Sequence, residues 1–544
     1  MLHHLEAIVQ WMQRPGCYPH PVDSVSLQQT HISLVFLAGP RVYKIKKPVD
    51  LGFLDFRTLE QRAHFCRREV ELNQRLTRGV YLAVDPITFH EGIYRIGGSG
   101  EIVEYAVRMR RLPADKTMQR LLAQDRLKAV DIDELARVLS RFYQEAATGP
   151  AIDALGALEV VRYNCQENFD QTLEFTGRYI DARQHQIVRA AVSAFLDHRR
   201  ELFETRVAQH KIRDGHGDLR SDHVYFEPDG LQIIDCIEFN ERFRCGDVAC
   251  DLAFLCMDLE YQGYAAAAAS LVAGYVRHSG DTAVYGLLPF YKCYRAMVRT
   301  KVDCIRLRQG GLQTREERML RVQVRHYMEL AYRNALVFSR PRIWVVFGMI
   351  AGGKSTVAQA LSDSLGVAVF NSDVVRKQLF RDRPGAVSGP VAFAQGIYSA
   401  DATALTYGRL LLTAQEEIDR GRSVILDATF SRARHRDEAR RLAHDMDAAI
   451  RFVECRGPEN LIAERLRQRG QQATVSDARL THLAEFKARF QPADEIPSAE
   501  KIVIDTSAPL LENLIRILSD ESWPAPAALG HDDIWDWPLP TPLA

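Results

Sequence analysis

Residues 348–355 read Gly-Met-Ile-Ala-Gly-Gly-Lys-Ser, which satisfies the pattern G-x-x-x-x-G-K-[ST] at every position. An apolar run at 343–347 precedes this motif and a helical pattern at 356–365 follows it. A strand, a glycine-rich turn and a helix N-terminus in this order form a loop whose backbone N–H groups converge on a phosphate. The motif therefore predicts a parallel strand, a helix and a bound nucleoside triphosphate together.

The side chains of this loop have distinct expected roles. Lys354 would place a positive charge at the β- and γ-phosphates of ATP, and Ser355 would offer its hydroxyl to Mg²⁺. Contacts with the phosphates are also expected from Gly348, Gly352, Gly353 and Thr356. A chance glycine-rich turn is the alternative, and the strand–loop–helix setting disfavours it.

The C-terminal part of the chain alternates short apolar strands with amphipathic helices. The strands are expected at 343–347, 367–370, 423–426, 450–454 and 501–504. This alternation is the signature of a parallel α/β sheet. It predicts an α/β P-loop domain with a parallel sheet over residues 341–520, followed by a tail at 521–544 that contains several prolines and tryptophans.

Two carboxylates stand at the ends of predicted strands in this domain. Asp373 follows the second strand and Asp427 ends the third. Ligands of doubly wound sheets bind at the carboxyl ends of the strands. Asp373 is therefore expected to accept the proton of an attacking hydroxyl and Asp427 to hold Mg²⁺, while Arg376 would hold a substrate anion. Asp373 also suits a helix N-cap, and that interpretation is compatible with the catalytic one.

Two arginines, Arg465 and Arg469, lie four residues apart on a predicted helix at 459–469, so they share one face of it. Such a pair is able to close over a triphosphate and neutralise the charge of the transferred group. The alternative is a solvated helix face, which Arg467 would share.

A second group of candidate residues lies in the N-terminal half. Asp218 stands in a Gly-His-Gly-Asp segment, and Asp235 follows 17 residues later at the end of an apolar run. Upstream, a β-hairpin pattern places Lys44 and Lys46 on one strand, and Glu69 lies on the helix that follows. Because alternate residues of a strand share a face, the sequence does not distinguish between the two lysines. Taken singly, these charged residues also suit exposed strand, helix and turn positions.

Two resemblances to known families follow from these motifs. The loop at 348–355, with Asp373 and Asp427, resembles the predicted P-loop kinases of the AAA type, which are related to polynucleotide 5′-hydroxyl kinases and zeta toxins. Segment 215–226 with Asp235 resembles the aminoglycoside phosphotransferase-like kinases, distant relatives of the protein kinases. Together the motifs are similar to a fusion family known as bifunctional aminoglycoside phosphotransferase/ATP-binding proteins.

The resemblances imply roles for the candidate residues. In the C-terminal domain they imply phosphoryl transfer to a hydroxyl with Asp373 as the base. In the N-terminal half they imply that Asp218 orients or deprotonates the acceptor hydroxyl and that Asp235 ligates Mg²⁺. One of the two lysines, oriented by Glu69, would pair with the α- and β-phosphates of ATP.

The sequence departs from the kinase pattern at two places. His223 stands five residues after Asp218, where an Asn metal ligand is usual, and neutral imidazole is a poor partner for hard Mg²⁺. In addition, the small lobe has no glycine-rich phosphate loop; residues 28–33 stand where one is expected. These departures leave three interpretations open: an altered metal stoichiometry, slow catalysis, or a pseudokinase.

The order of the patterns predicts an α+β two-lobed kinase-like domain followed by the α/β P-loop domain. The kinase-like domain is expected at 1–338, with a small lobe at about 1–110 and a helical lobe at about 114–338. The P-loop domain is expected at 341–520 and the tail at 521–544.

Composition restricts the setting of these domains. The chain has 544 residues, with 70 Lys and Arg against 70 Asp and Glu, which argues against a polyanion-coating role. Its ten cysteines contain no CxxC pair and suggest free thiols in a reducing compartment. The most apolar stretch, 265–275, is about half of what spans a bilayer, and the N-terminus shows no signal-peptide pattern. We expect a cytoplasmic location, no membrane partner and no obligate protein partner.

Three functions remain in view. The leading one is an ATP- and Mg²⁺-dependent phosphotransferase with a P-loop site and a second, kinase-like site, acting on a hydroxyl of a small molecule or of a nucleic acid. The second is a ligand-sensing pseudokinase that regulates the P-loop site. The third is a nucleic-acid 5′-hydroxyl end-processing kinase, supported by basic residues at 432–436 and 440–441. Asp437 and Glu438 interrupt that run, so a solvated helix is the better interpretation of it.

Overall fold

A computed structural model describes residues 2–381, 399–470 and 480–520 of the chain. These residues form two compact units. The first unit contains residues 2–161 and 206–278, and the second contains residues 162–205 and 279–520. The tail expected at 521–544 lies outside the described residues.

The elements are numbered along the chain. The strands are β1 (Val25–Gln29), β2 (Ser33–Ala38), β3 (Arg41–Lys46), β4 (Tyr81–His90), β5 (Ile93–Ile96), β6 (Glu101–Arg110), β7 (Ile212–Asp214), β8 (Val224–Glu227), β9 (Gly230–Ile233), β10 (Cys245–Asp247), β11 (Arg342–Gly348), β12 (Ala368–Asn371), β13 (Val424–Asp427), β14 (Ala449–Arg456) and β15 (Lys501–Asp505). The helices of the N-terminal half are α1 (Leu2–Met12), α2 (Leu59–Asn73), α3 (Met118–Ala123), α4 (Ala129–Glu145), α5 (Pro150–Leu155), α6 (Leu158–Thr172), α7 (Ala182–His198), α8 (Arg200–Ala208), α9 (Glu241–Arg244), α10 (Val248–Tyr261), α11 (Ala265–Ser279), α12 (Val284–Gln309) and α13 (Thr314–Ser339). The helices that follow are α14 (Lys354–Leu365), α15 (Ser372–Leu379), α16 (Ala400–Asp419), α17 (Ala433–Asp445), α18 (Glu459–Gly470), α19 (Leu483–Arg489) and α20 (Leu510–Ser519).

The first unit is built on a six-stranded sheet with the strand order β1-β2-β3-β6-β4-β5. Its strands pair antiparallel. The hairpin of β2 and β3 agrees with the sequence prediction and turns at Gly39, whose φ of +56° favours glycine. All six residues of β2 are buried, which places this hairpin in the core of the sheet. Strand β3 thereby fixes the backbone of Lys44 and Lys46.

Helix α2 follows the hairpin and begins with a capping box. The Thr58 hydroxyl accepts a hydrogen bond from Gln61 N at 3.2 Å, and the Gln61 side chain accepts one from Thr58 N at 3.0 Å. The helix packs against β6 and β4. Its inward face includes Glu69, which is fully buried.

Two short antiparallel pairs, β7 with β10 and β8 with β9, hold the segment around Asp218 in the first unit. Asp247 lies at the end of β10 and caps α10 by accepting from Ala249 N at 2.8 Å. The same carboxylate receives two hydrogen bonds from the buried Arg206, at 2.8 and 2.6 Å. This ion pair anchors the start of α10 beside the loop.

The second unit contains a five-stranded parallel sheet with the strand order β12-β13-β11-β14-β15. Each of the five strands overlaps a strand expected from the sequence. The central strand, β11, is buried over six of its seven residues, as a parallel strand covered on both faces should be. Val346 of β11 is in register with Asp427 of β13, and Asp427 with Asn371 of β12. The carboxyl ends of three strands therefore lie side by side.

Helices from the middle of the chain pack within this second unit as well. Phe195, Phe203, Phe290 and Phe338 form an aromatic cluster with centroid separations of 4.9 to 6.2 Å. Arg199 donates to the carbonyl oxygens of Leu365 and Gly366 at 3.2 and 3.0 Å, and so satisfies the C-terminus of α14. Residues 162–205 and 279–338, assigned by sequence to the kinase-like domain, thus share a compact unit with the parallel sheet. The expected domain boundaries stay a prediction.

The structure gives observations on the cysteines and on candidate membrane-spanning helices. All ten cysteines are free thiols. Within the described residues, no helix combines the length and apolar character that crossing a bilayer requires. Helix α11, which contains the most apolar stretch, instead packs in the first unit through a face that includes Leu271, Val272 and Gly274, and Gly274 lies against Ala136.

Candidate active sites

The glycine-rich loop at 348–355 joins β11 to α14, as the sequence predicts. Gly348 has a φ of +142°, and a Cβ there would lie 2.3 Å from the carbonyl oxygen of Cys455 on the adjacent strand. Gly353 is the N-cap of α14 with a φ of +86°. Side chains are excluded at these two positions by sterics and backbone strain. The backbone N–H groups of the loop are consequently free of covering side chains at the helix N-terminus, where a phosphate binds.

Lys354, Ser355 and Thr356 form the first turn of α14. The Lys354 ammonium donates to the carbonyl oxygen of Met349 at 2.9 Å, which folds the side chain back over the loop. Ser355 and Thr356 are exposed. The predicted phosphate-binding residues Gly348, Gly352, Gly353, Lys354, Ser355 and Thr356 therefore lie together around one loop.

Asp427 lies at the end of β13 and is buried, with 2% of its surface exposed. The Asn371 side chain donates to its Oδ2 at 2.6 Å. This hydrogen bond fixes one of the two carboxylate oxygens. The sequence pattern does not identify Asn371 as part of the site. The signal is positional, because Asn371 ends the strand next to Asp427 in the sheet.

Asn371 also caps helix α15. Its Oδ1 accepts from the backbone N–H groups of Asp373 and Val374 at 2.9 and 3.2 Å. The alternative interpretation of Asp373 as the N-cap is therefore wrong, because Asn371 fills that role. Asp373 lies in the first turn of α15, where the helix dipole stabilises its negative charge.

Arg376, predicted to hold a substrate anion, lies on the same helix and is 7% exposed. Its Nη1 donates to the Thr403 hydroxyl on α16 at 3.3 Å. Nearby on α16, Tyr407 accepts from Phe430 N at 2.9 Å and lies 3.3 Å from the Thr429 hydroxyl. Polar groups from α15, α16 and the segment after β13 thus line the region beyond Asp427.

Arg465 on α18 contacts the loop from the other side. Its guanidinium donates to Thr506 O at 2.8 Å, to the Thr506 hydroxyl at 3.1 Å and to Ala351 O at 3.4 Å. A cavity of about 480 Å³ opens next to these groups. Its lining includes Ala351, Gly353, Thr356, Arg465, Thr506 and Asn513. The side chain of Arg469, the second arginine of the predicted pair, lies outside the described residues.

Two arginines of the basic run at 432–436 and 440–441 make internal contacts, whereas Arg432, Arg434 and Arg441 are exposed. Arg436 is fully buried and donates to Glu495 Oε1 and to the carbonyl oxygens of Phe430 and Pro492. Arg440 donates to Glu500 Oε2 at 2.8 Å. These arginines stabilise the packing of α17 against the segment before β15.

In the first unit, three of the predicted residues meet at a single point. The Lys44 ammonium lies 2.6 Å from Asp235 Oδ1 and 2.8 Å from Glu69 Oε1. Asp235 has a φ of +66°, a left-handed conformation that is uncommon for a non-glycine residue, and its backbone N–H donates to the Tyr81 hydroxyl. Strain of this kind is often found at functional sites.

Lys46 lies deeper than Lys44. Its ammonium donates to Glu69 Oε2 at 2.7 Å and to Glu238 Oε1, and its side chain is 1% exposed. Lys44 retains 14% exposure of its side chain. Lys44 therefore contacts both Glu69 and Asp235 and is the more exposed of the two lysines, whereas Lys46 pairs with Glu69 and Glu238. Which of the two contacts ATP stays a prediction. Glu238 was not identified from the sequence.

The opposite charges of this cluster stabilise one another. Burial alone would raise the pKa of Asp235, but the Lys44 ammonium brings it below its ordinary value. Burial would lower the pKa of Lys44, but Asp235 and Glu69 raise it well above the ordinary value. Burial would raise the pKa of Glu69, but Lys44 and Lys46 bring it below its ordinary value. The charged forms of Lys44, Asp235 and Glu69 are therefore favoured.

The loop around Asp218 is held rigidly from behind. The Asp251 carboxylate accepts from the backbone N–H groups of His216 and Gly217 at 2.6 and 2.8 Å. The His216 ring lies 2.9 Å from Ile234 O and accepts from Asp218 N at 3.3 Å. Burial lowers the pKa of His216 to about 4, so it is neutral at neutral pH. Asp251 thus braces the loop around Asp218, and Asp247 caps the start of α10.

Asp218, His223 and Asp235 come together as one cluster. Each offers one ligand atom, and these atoms lie within 4.8 Å of one another. Asp218 and Asp235 supply carboxylate oxygens, which suit Mg²⁺. His223 supplies a ring nitrogen, which suits Mg²⁺ less well. The carboxylates of Asp218 and Asp235 therefore fit one Mg²⁺ ion. In the second unit, the Ser355 hydroxyl and the Asp427 carboxylate also offer the oxygen atoms that Mg²⁺ prefers.

The turn between β1 and β2 stands where kinases carry a glycine-rich loop. The Thr30 hydroxyl accepts from the backbone N–H groups of Ile32 and Ser33 at 3.3 and 2.9 Å, which makes the turn short. Lys47 donates to Thr30 O at 2.5 Å from the neighbouring strand end. The turn is closed by its own hydrogen bonds rather than by glycines.

Comparison with protein families gives two matches along the chain. Residues 100–289 match the model described as Phosphotransferase enzyme family, and residues 343–493 match the model described as AAA domain. The matches cover the loop around Asp218 and the P-loop, respectively. They confirm the two resemblances found in the sequence and, with the parallel sheet, the fold class.

Comparison with curated proteins gives relatives in mycobacteria. The chain is 34% identical over 456 residues to the uncharacterized protein Rv2004c of Mycobacterium tuberculosis and, equally, to the uncharacterized protein Mb2027c of Mycobacterium bovis. The aligned region covers 83% of this chain and 88% of each relative. The similarity extends through both halves of the chain.

Comparison with solved structures gives kinases for each half. A choline/ethanolamine kinase family protein from Mesorhizobium loti aligns with 60% of this chain and 99% of its own length, at 14% identity and a TM-score of 0.35. A sugar kinase from Janibacter sp. HTCC2649 aligns with 34% of this chain and 96% of its own length, at 20% identity and a TM-score of 0.25. At these TM-scores the likeness carries no inference about activity.

Proposed function

The chain belongs to the same family as these mycobacterial proteins and combines a domain of the Phosphotransferase enzyme family with an AAA domain. From that premise we propose that it is an ATP- and Mg²⁺-dependent phosphotransferase that transfers the γ-phosphate to a hydroxyl, with one nucleotide site in each unit.

The observation that supports this proposal is that each unit brings one lysine and two carboxylates into one region. In the second unit they lie at the ends of neighbouring parallel strands, and in the first they form one cluster of ion pairs. The groups are Lys354, Asp427 and Asp373 in the second unit and Lys44, Asp235 and Asp218 in the first. Phosphoryl transfer needs a fixed cation for the phosphates, a carboxylate for the metal and a group that accepts the proton of the attacking hydroxyl. Both clusters supply all three.

In the second unit, the backbone of the loop at 348–355 cradles the β-phosphate and Lys354 contacts the β- and γ-phosphates. Ser355 and Asp427 hold Mg²⁺, which neutralises charge on the phosphates when bound. Asp373 accepts the proton of the acceptor hydroxyl. Arg465, together with Arg469, covers the triphosphate, and the cavity beside Thr506 receives the base and ribose.

In the first unit, Lys44 contacts the α- and β-phosphates and Glu69 orients it. Asp235 holds the metal ion. Asp218 lies in a loop fixed by Asp251, so its carboxylate is pre-oriented toward the acceptor hydroxyl. Such positioning lowers the entropic cost of transfer, which is the main contribution that a protein makes to this reaction.

The acceptor is proposed to be a small molecule with an alcohol group. Arg376 is buried beside Thr403 in the second unit, which suits an acceptor that also carries an anionic group. Arg436 and Arg440 are engaged in ion pairs, which weakens the support that the basic run gives to a nucleic-acid end, while Arg432, Arg434 and Arg441 of that run are exposed. We also propose a cytoplasmic location and no membrane partner, and both agree with a small-molecule acceptor.

A transfer assay tests the proposal. Purified chain is incubated with γ-labelled ATP and pools of metabolites or 5′-hydroxyl oligonucleotides, and labelled products are separated. Lys354→Ala should lower transfer to a product of the P-loop site by about 100-fold or more, because it removes a preorganised charge at the transferring phosphate. Asp218→Asn should do the same for a product of the kinase-like site.

Matched controls are exposed residues of the same types. Lys377→Ala removes an exposed lysine of α15, and Asp229→Asn changes an exposed carboxylate in the β8–β9 turn. Both should leave transfer unchanged. The P-loop assignment fails if Asp218→Asn abolishes all transfer and Lys354→Ala has no effect. If neither variant alters transfer but ligand binding at one site changes ATP affinity at the other, the chain is a sensor instead.

A further inference from the structure

Arg220 lies in the loop at 215–223 and reaches into the cluster of acidic side chains. Its Nε lies 3.4 Å from Asp218 Oδ2, and its Nη2 lies 3.3 Å from Asp222 Oδ2. The same Nη2 lies 2.8 Å from Nε2 of His223. A positively charged guanidinium thus stands between the proposed base and the residue at the usual Asn position.

The partners of His223 determine which ring nitrogen carries its proton. A guanidinium only donates hydrogen bonds, so Nε2 accepts from Arg220 through its lone pair. A backbone carbonyl only accepts, so Nδ1, which lies 2.9 Å from Asp218 O, carries the hydrogen and donates. His223 is 1% exposed, and both of its ring nitrogens are engaged by protein groups.

This arrangement bears on the metal ions of the site. In kinases with Asn at this position, the Asn and the strand aspartate hold two Mg²⁺ ions between them. Here the nitrogen closest to Asp235, Nε2 at 3.8 Å from Oδ2, has its lone pair directed at Arg220. A second cation at this place would have to displace the guanidinium and would meet its charge. One cation position, at Asp235, remains.

We propose that the kinase-like site uses a single divalent cation and that the Arg220 guanidinium supplies the positive charge that a second cation supplies in kinases with Asn at this position. His223 is then a positioning residue: its Nε2 holds Arg220 against Asp222 and Asp218. The inference rests on the proposed nucleotide site of the first unit and specifies its metal stoichiometry.

The test counts Mn²⁺, a spectroscopically visible substitute for Mg²⁺, per bound nucleotide. The P-loop site is first disabled by Lys354→Ala with Ser355→Ala in the full chain. Equilibrium dialysis with a non-hydrolysable ATP analogue should then give one Mn²⁺ per bound nucleotide. Adding Arg220→Ala and His223→Asn removes the guanidinium and supplies an amide oxygen, so the ratio should rise to two. Adding Asp235→Asn instead should abolish Mn²⁺ binding.

The outcomes separate this inference from the proposed function. A ratio of two in the chain that keeps Arg220 and His223 overturns the inference and leaves the kinase-like nucleotide site intact. Absence of any bound nucleotide in that chain overturns the proposed site and the inference with it. Because the decisive ratio is measured with Arg220 and His223 unchanged, it does not depend on whether the loop variants fold.

Discussion

At the scale of single residues, the two lysines of β3 show how burial separates side chains that a strand pattern treats alike. Lys44 and Lys46 share one face of the strand and both contact Glu69. Lys46 also pairs with the buried Glu238, whereas Lys44 pairs with Asp235. The Lys46–Glu238 pair therefore stabilises the fold, whereas the Lys44–Asp235 pair belongs to the proposed nucleotide site.

Substitution of Lys46 by methionine should therefore mainly lower the stability of the fold, whereas substitution of Lys44 should mainly abolish nucleotide binding at the kinase-like site. Lys46→Met leaves two buried carboxylates without their shared partner and should lower the free energy of unfolding by about 3–5 kcal/mol. Lys44→Met leaves Glu69 paired with Lys46 and Asp235 partly solvated, so it should cost about 1 kcal/mol while abolishing nucleotide binding at the kinase-like site. Urea unfolding and nucleotide binding in a Lys354→Ala background measure the two effects.

Equal destabilisation by both variants would contradict this separation. So would a Lys46→Met chain that keeps its stability but loses nucleotide binding. Lys377→Met, which changes an exposed lysine, is the control for the substitution itself.

At the scale of secondary-structure elements, the P-loop motif shows how much a local pattern determines. The motif predicts β11, the loop and α14, and all three form. The reason lies in backbone sterics, because Gly348 closely approaches the backbone of Cys455 on β14 and only glycine fits there. A pattern that depends on backbone sterics is readable from sequence.

The Gly348→Ala variant tests this explanation. Its added Cβ would lie 2.3 Å from a backbone oxygen, so β11 and β14 must separate and the loop must shift. ATP affinity at the P-loop site should fall at least about tenfold, which corresponds to about 1.4 kcal/mol. Gly408→Ala is the control, because nothing lies within 4 Å of its Cβ position on the exposed face of α16. That control should stabilise the chain by about 0.5–1 kcal/mol.

Unchanged ATP affinity in Gly348→Ala would show that the close approach does not position the loop. Isothermal titration with an ATP analogue measures the affinity, and thermal unfolding measures the effect of the control.

The sequence pattern does not predict every strand of the six-stranded sheet. Strands β1 and β5 lie at the two edges of the sheet, where polar residues are tolerated and the alternation is weak. Neither was predicted. In the site, the sequence pattern assigns no role to Asn371, Glu238 or Arg220. The partners of Asn371 and Glu238 are distant in the sequence, whereas Arg220 contacts residues of its own loop, and its direction depends on how that loop folds. Only the sheet register and the tertiary packing bring such groups together.

At the scale of the whole molecule, the chain carries two clusters of side chains proposed to bind nucleotide and a formal net charge of zero. Lys44, Arg220, Lys354 and Arg465 supply positive charge where phosphates are proposed to bind, and carboxylates lie beside Lys44 and Arg220. A net charge of zero is therefore compatible with local phosphate binding. The motifs determine a reaction class, while the acceptor depends on pocket shape, which no sequence motif encodes.

The central claim, two nucleotide sites in one chain, is tested most directly by the stoichiometry of a labelled non-hydrolysable ATP analogue in the presence of Mg²⁺. Equilibrium dialysis should give two nucleotides per wild-type chain, one for Lys354→Ala, one for Lys44→Met with Asp235→Asn, and none when all three changes are combined. A single nucleotide per wild-type chain, lost completely in Lys354→Ala, would contradict the claim.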